Sequence, residues 1–116
     1  MRAPSIAVLL ALPLALAACG PIRSYPLVPP REGARSVFPG ITACATAQHL
    51  LISQHSDSVN VQVDPGVWAQ FMDQPNSFNM VIVVMDSSPD AQARADAGKV
   101  KGEAIYQCAL GPPGPR

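Results

Sequence analysis

Residues 78–85, Phe-Asn-Met-Val-Ile-Val-Val-Met, form an apolar run broken only by Asn79, and this run constrains the fold more than any other feature of the chain. It reads as a β-strand that is apolar on both faces. Such a strand needs cover on both sides, at least in part, and is therefore expected to lie centrally in a sheet. Asp86-Ser87-Ser88-Pro89-Asp90 follows as a cluster of turn formers that ends it.

The rest of the chain is read against that strand. Val59, Val61 and Val63 alternate with Asn60 and Gln62, the signature of a half-buried strand. Asp64-Pro65-Gly66 turns the chain. For Val67 to Met72 two readings compete, and Asp64 as N-cap with Pro65 at the first helical position favours a short helix over a strand. An L-Pro-Gly turn is also a poor match for a tight two-residue hairpin. Residues 91–97 are polar and alanine-rich and read as a connection or a single helical turn. From 99 to 110 the pattern alternates, with Val100, Gly102, Ala104, Tyr106, Cys108 and Leu110 on one face, which predicts a final strand. The best helix signal covers residues 41–54, where alanines and leucines supply propensity and Ile41, Cys44, Gln48, Leu51 and Ile52 share one side. The expected fold is α+β: an N-terminal helix packed on a small, mainly antiparallel sheet of three to four strands.

The first twenty residues carry a different message. Arg2 precedes an uncharged apolar stretch, Ile6 to Leu16, which Leu16-Ala17-Ala18-Cys19 closes. From Ala3 to Ala18 the stretch falls short of the roughly 20 apolar residues that span a bilayer, and Pro13 would interrupt a spanning helix. These residues resemble a bacterial lipoprotein signal with its lipobox. The resemblance implies cleavage after residue 18, a diacylglyceryl group on the Cys19 thiol and often acylation of the freed amine. Cys19 is then the membrane anchor. Gly20, standing where an Asp would signal retention at the inner membrane, implies an outer-membrane, periplasm-facing location.

With Cys19 assigned to lipid, Cys44 and Cys108 remain as an even pair in a compartment that forms disulfides. Helical spacing turns Cys44, and strand alternation turns Cys108, toward one core, so a disulfide between them is expected. Residues 19–40 contain Pro21, Pro26, Pro29, Pro30 and Pro39 among Arg23, Arg31, Glu32 and Arg35. They read as an extended, solvated tether that would hold a domain of residues 41–110 away from the membrane. Residues 111–116 read as a frayed tail.

Little in the chain points to chemistry. Eight basic and eight acidic residues balance, and no segment concentrates positive charge, so nucleic acid is not an expected partner. Ser53, His55 and Asp57 stand close in sequence, but a triad needs convergence in space, a pocket and an oxyanion hole. His49 and His55, the only histidines, lack metal-ligand spacing, and neither Cys44 nor Cys108 sits in a zinc motif. Asp86-x-Ser88 after an apolar strand resembles the metal-ion-dependent adhesion site of von Willebrand type A domains. Here, however, Asp90 replaces the last Ser, Pro89 intervenes, and too little chain follows for that fold. An EF-hand loop fails too, with Ala91 where Gly is required and Ala97 where the bidentate Glu belongs. No cofactor, metal, small-molecule substrate or enzymatic activity is expected.

The functional expectation is a membrane-anchored lipoprotein that binds an envelope protein as an accessory or structural component, with Trp68, Phe71 and Met72 as the candidate contact surface. An alternative is a periplasmic inhibitor of a cell-wall hydrolase or protease. Small lipoprotein inhibitors of lysozyme are similar in carrying a lipobox and a disulfide-stapled β-rich domain, and Tyr106-Gln107-Cys108 resembles their Tyr-x-Cys element. Their other motifs are missing.

Overall fold

The computed structural model describes residues 20–111. Its five strands are β1 (Ile22–Pro26), β2 (Ile52–Gln54), β3 (Ser58–Asp64), β4 (Val67–Gln74) and β5 (Ser77–Val84). They form one antiparallel sheet in the order β1-β5-β4-β3-β2. A 3-10 turn (Ala34–Val37) leads into helix α1 (Phe38–Ala47), and the long helix α2 (Ala91–Leu110) closes the described chain. Both helices lie on the same face of the sheet, α2 over β3, β4 and β5 and α1 over β2 and β3. The α+β architecture is as expected, but a strand precedes the first helix and the sheet has five strands.

The helix layer and the sheet share one core. Every second residue of β3, β4 and β5 points into it: Val59, Val61, Val67, Ala69, Phe71, Met80, Ile82 and Val84 are 2% exposed or less. Ile41 and Ala45 of α1 and Ala95, Ile105 and Tyr106 of α2 close it from above. The Tyr106 ring stacks on Phe71 at 6.2 Å and meets Phe78 edge-on at 5.8 Å. Its hydroxyl donates to the Val28 carbonyl at 2.7 Å.

Three sequence readings are corrected. Val67 to Met72 belong to a strand, because Pro65 and Gly66 do form the hairpin turn: Gly66 sits at φ 72°, as the third position of a type II turn requires. A register shift between Gln62 and Asp64 absorbs the mismatch in twist, and Arg94 of α2 donates to the Pro65 carbonyl at 2.8 Å. Residues 91–110 are one helix, whose buried positions Ala91, Ala95, Gly98, Gly102, Ile105 and Tyr106 follow helical spacing. The apparent alternation places Val100 in solvent instead, 66% exposed. The helix at 41–54 is shorter and earlier than expected: it stops at Ala47, His49 takes a left-handed φ of 61°, and Ile52–Gln54 turns into β2.

Residues 20–40 are not a tether. β1 pairs with β5 from Ile22 opposite Val83 to Pro26 opposite Asn79. Beyond it, Leu27 N–H donates to the Phe78 carbonyl at 2.8 Å. Proline is tolerated here because β1 is an edge strand, where half of the backbone groups face away from the ladder. The signal segment, Cys19 and residues 112–116 lie outside the described residues.

Cys44 and Cys108 are bonded, with S–S 2.07 Å and Cα–Cα 6.3 Å. The pairing is as expected, but its setting is not. Cys108 is exposed on α2 and Cys44 half-buried on α1, so the bridge ties helix to helix across the outside of the layer rather than helix to sheet. Closing 64 residues of chain restricts the unfolded state by about 4 kcal/mol in the loop-entropy account.

Candidate functional site: the uncovered face of the sheet

Strand alternation separates the residues proposed for partner contact. Phe71 is fully buried under the helices and is withdrawn as a contact residue, whereas Trp68 and Met72 point to the opposite face, half-exposed, with Gln70 between them. No described element covers that face. The expectation that β5 is covered at least in part on both sides is corrected for the described residues: Met80, Ile82 and Val84 are under the helices, while Val81 and Val83 stand half-buried on a side that no described element covers.

The ladder registers lay the open face out in rows, since directly opposed residues point the same way. The row nearest Gly20 runs from Ile22 through Val83, Trp68 and Gln62 to Leu51, whose carbonyl accepts the Gln62 N–H at 2.9 Å. Ile22 and Leu51 are 64% and 63% exposed. The next row is Ser24, Val81, Gln70, Asn60 and Ser53. The farthest is Pro26, Asn79, Met72 and Ser58. A shallow depression lined by Trp68, Gln70, Val83, Met85, Asn60 and Ser53 lies at its centre.

Among the described strand residues no charged side chain belongs to this face. The charged residues within the strands are Arg23, Asp64 and Asp73, and their cross-strand partners Ile82, Val67 and Phe78 all belong to the covered side. Each engages the helix side of the molecule or the segment leading into it: Arg23 with Gln92 at 2.6 Å, Asp64 with Lys101 at 2.7 Å, Asp73 with Arg35 at 2.8 Å. An antiparallel sheet with one solvated face ordinarily makes that face polar and charged. This one is apolar or neutral throughout.

The other clusters singled out in the sequence are accounted for locally. Ser53 Oγ and His55 Nε2 are 3.0 Å apart, and Asp57 stands in the turn before β3, its backbone carbonyl accepting from Asp73 N–H at 2.8 Å. At the end of β5, Arg94 Nη1 reaches both Asp86 carboxylate oxygens at 2.8 and 2.9 Å. Ser88 donates to the same carboxylate through its backbone and its hydroxyl. The Arg94 hydrogen bond, followed by those from Ser88, lowers the Asp86 pKa to about 2. The oxygens that would face a cation there already hold a guanidinium. Among the described residues no group of three or more His, Cys, Asp or Glu side chains converges. Tyr106, of the Tyr-x-Cys element, is an interior residue, and burial raises its pKa.

Sequence reasoning missed Ile22, Leu51, Val83 and Met85 as members of this surface. The signal lay in the run 78–85 itself, whose second apolar face had been assigned to a cover that the fold does not provide. No protein-family model, curated protein or solved structure matches this chain.

Proposed function

We propose that the chain is a small envelope lipoprotein, acylated on Cys19 and facing the periplasm from the outer membrane, that acts by binding an envelope protein and not by catalysis. The observation that carries this reading is the uncovered sheet face, whose described strand residues carry no charge and whose middle row, Ser24, Gln70, Asn60 and Ser53 with Val81, offers hydrogen-bonding groups to a partner. A solvated sheet face that lacks the usual charges marks an interaction site. The lipobox-like run at 16–19 supports the anchor, and a disulfide suits an oxidising compartment. Among the described residues no helix is long and apolar enough to cross a membrane; attachment through lipid rests on the lipobox-like run alone. A single acyl chain binds only marginally, at about 0.8 kcal/mol per buried methylene, whereas two or three chains hold durably.

Replacing Cys19 by Ser is expected to move the protein from the membrane fraction to the soluble one, and unchanged fractionation would sink the anchoring claim. Crosslinking in intact membranes through a photoreactive residue at Gln70, in the middle row of the face, is expected to capture one defined envelope protein. Recovery of the uncrosslinked chain alone would remove the binding role.

A further inference from the structure

The open face is graded along the strands, and the gradient points at the anchor. The row nearest residue 20 is apolar except for Gln62, the middle row is polar except for Val81, and the farthest row mixes Asn79 and Ser58 with Pro26 and Met72. Met85 extends the apolar row toward the same end: its N–H donates to the Gly66 carbonyl at 2.8 Å, and its side chain is 58% exposed. Ile22, Leu51 and Met85, three of the six exposed large apolar side chains among the described residues, thus lie at one end of one face, with Trp68 midway along the row between Ile22 and Leu51.

The chain leaves the sheet at that end. Gly20 N–H donates to the Val84 carbonyl at 2.9 Å and Val84 N–H donates to Pro21 at 3.0 Å, so the ladder continues to the residue that follows Cys19. Adjacent Cα atoms are about 3.8 Å apart, and each strand residue advances about 3.3 Å. Ile22, the first member of the row, therefore lies about 10 Å from Cys19 along the chain, with Val83 and Trp68 one and two strand spacings of about 4.8 Å further across the sheet. An amphipathic protein surface settles about 5–10 Å into the boundary between headgroups and acyl chains. A tether over residues 19–40 at about 3.1 Å per residue would have put the domain far outside that zone. Folding of residues 20–26 into the sheet brings it within reach.

We infer that the apolar row formed by Ile22, Val83, Trp68 and Leu51, with Met85, rests on the lipid surface beside the anchor, Trp68 lying at headgroup depth. This inference rests on acylation of Cys19. Trp is suited to that position because its ring is apolar and its indole N–H finds partners among headgroups. No member of the row is charged, so no ion within it has to be desolvated, and the charged pair at the end of β5, Asp86 with Arg94, is tied to α2 on the other side of the sheet. The middle row, Ser24, Gln70, Asn60 and Ser53 with Val81, stays in water, exposed to a protein partner.

Trp68 is the single tryptophan of the chain, so its fluorescence reports this contact directly. The full-length acylated protein, purified from membranes, would be reconstituted into phosphatidylethanolamine and phosphatidylglycerol vesicles. Acylation is read by mass spectrometry and attachment by flotation. The expected result is a shift of Trp68 emission to shorter wavelength on reconstitution, quenching by lipids brominated near the headgroup end of the acyl chain, and loss of quenching by aqueous acrylamide. The double variant Ile22→Asp, Met85→Asp, at positions already exposed, is expected to float and to unfold at the wild-type midpoint while losing all three signals. Asn79→Asp, in the farthest row, is expected to keep them. Acylated, floating protein whose Trp68 stays open to acrylamide would overturn the inference and leave the anchor standing. A chain with no acyl group that fails to float would overturn both. Shielding of Trp68 in detergent that grows with protein concentration would assign the row to a second copy, and shielding that needs an added envelope protein would assign it to that protein; either result overturns lipid contact.

Discussion

The two faces of this sheet are made from the same strands in alternation, broken at the register shift after Gln62, yet they obey different rules. On the covered face, shape decides: Phe71, Met80 and Ile82 are fully buried and contact an alanine- and glycine-lined helix. Gly98 and Gly102 let α2 lie close, since a Cβ at Gly98 would stand 2.7 Å from Val67 Cγ1 and one at Gly102 2.6 Å from Met80 Sδ. On the open face no packing partner dictates shape, and what varies is polarity, from apolar near Gly20 to mixed at the far end. Apolar side chains on a strand show that a face avoids water. They do not show whether protein, lipid or a partner replaces it.

The sharpest way to break this comparison is to truncate one aromatic from each face of β4. Phe71→Ala should cost about 3–5 kcal/mol in urea denaturation, through lost transfer energy and the cavity left under Tyr106. Trp68→Ala should cost about 1 kcal/mol or less, because the face has no packed layer above it to lose. Equal losses would mean that the open face is part of the folding core. Next in size is the staple of the covered side: replacing Cys44 and Cys108 by Ser should lower stability by about 4 kcal/mol. Because Cys108 is exposed, dithiothreitol should produce the same loss without prior unfolding.

A smaller effect tests how closely α2 sits. Alanine is favoured over glycine in a helix by about 1 kcal/mol, whereas overpacking a core costs about 1–3 kcal/mol. Gly98→Ala meets the stiff, fully buried Val67 and should destabilise on balance; Gly102→Ala meets the flexible Met80 and should come out near neutral. Denaturation midpoints in the reverse order would contradict that ranking. The smallest effect is electrostatic. The Asp86 pKa is lowered to about 2 in the folded state, below the unfolded value of about 3.9. Its stabilisation is therefore present above about pH 4 and is lost as pH falls from there through the folded value. In Arg94→Gln the decline between pH 4 and pH 2 should be shallower than in the wild type, read from midpoints across that range.

Much of the sheet was legible because β3 alternates valine with polar residues and β5 is a run of β-branched and other apolar residues, broken only by Asn79, between turn formers. α2 was not, because its buried stripe is alanine and glycine, whose contrast with the polar side is weak, so Val100, Tyr106 and Leu110 suggested alternation instead. The alanine content and the long side chains of Lys99, Lys101 and Glu103 were the signal that should have weighed more. Cys108 was paired correctly from a strand it does not occupy. Two available cysteines and an oxidising compartment sufficed for the pairing, but not for its place on the outside of the helix layer. β1 was hidden by its prolines, which an edge strand accepts. Of the candidate surface, Trp68 and Met72 were legible as aromatic and apolar excess. Phe71 was misplaced because a helix reading puts it beside Val67 and Trp68, whereas a strand sends Trp68 to the other side.

By itself the sequence determined the resemblance to a lipidated N-terminus, the cysteine pair, the two main strands and the α+β class, since each depends on residue type or on a period of a few residues. Tertiary structure alone decided that residues 20–26 join the sheet, that both helices take one face, and that the apolar row of the other lies at the end of the sheet where Gly20 enters. Those outcomes depend on pairings between segments distant in the chain, β1 with β5 above all, and no local period encodes which edge a strand will find.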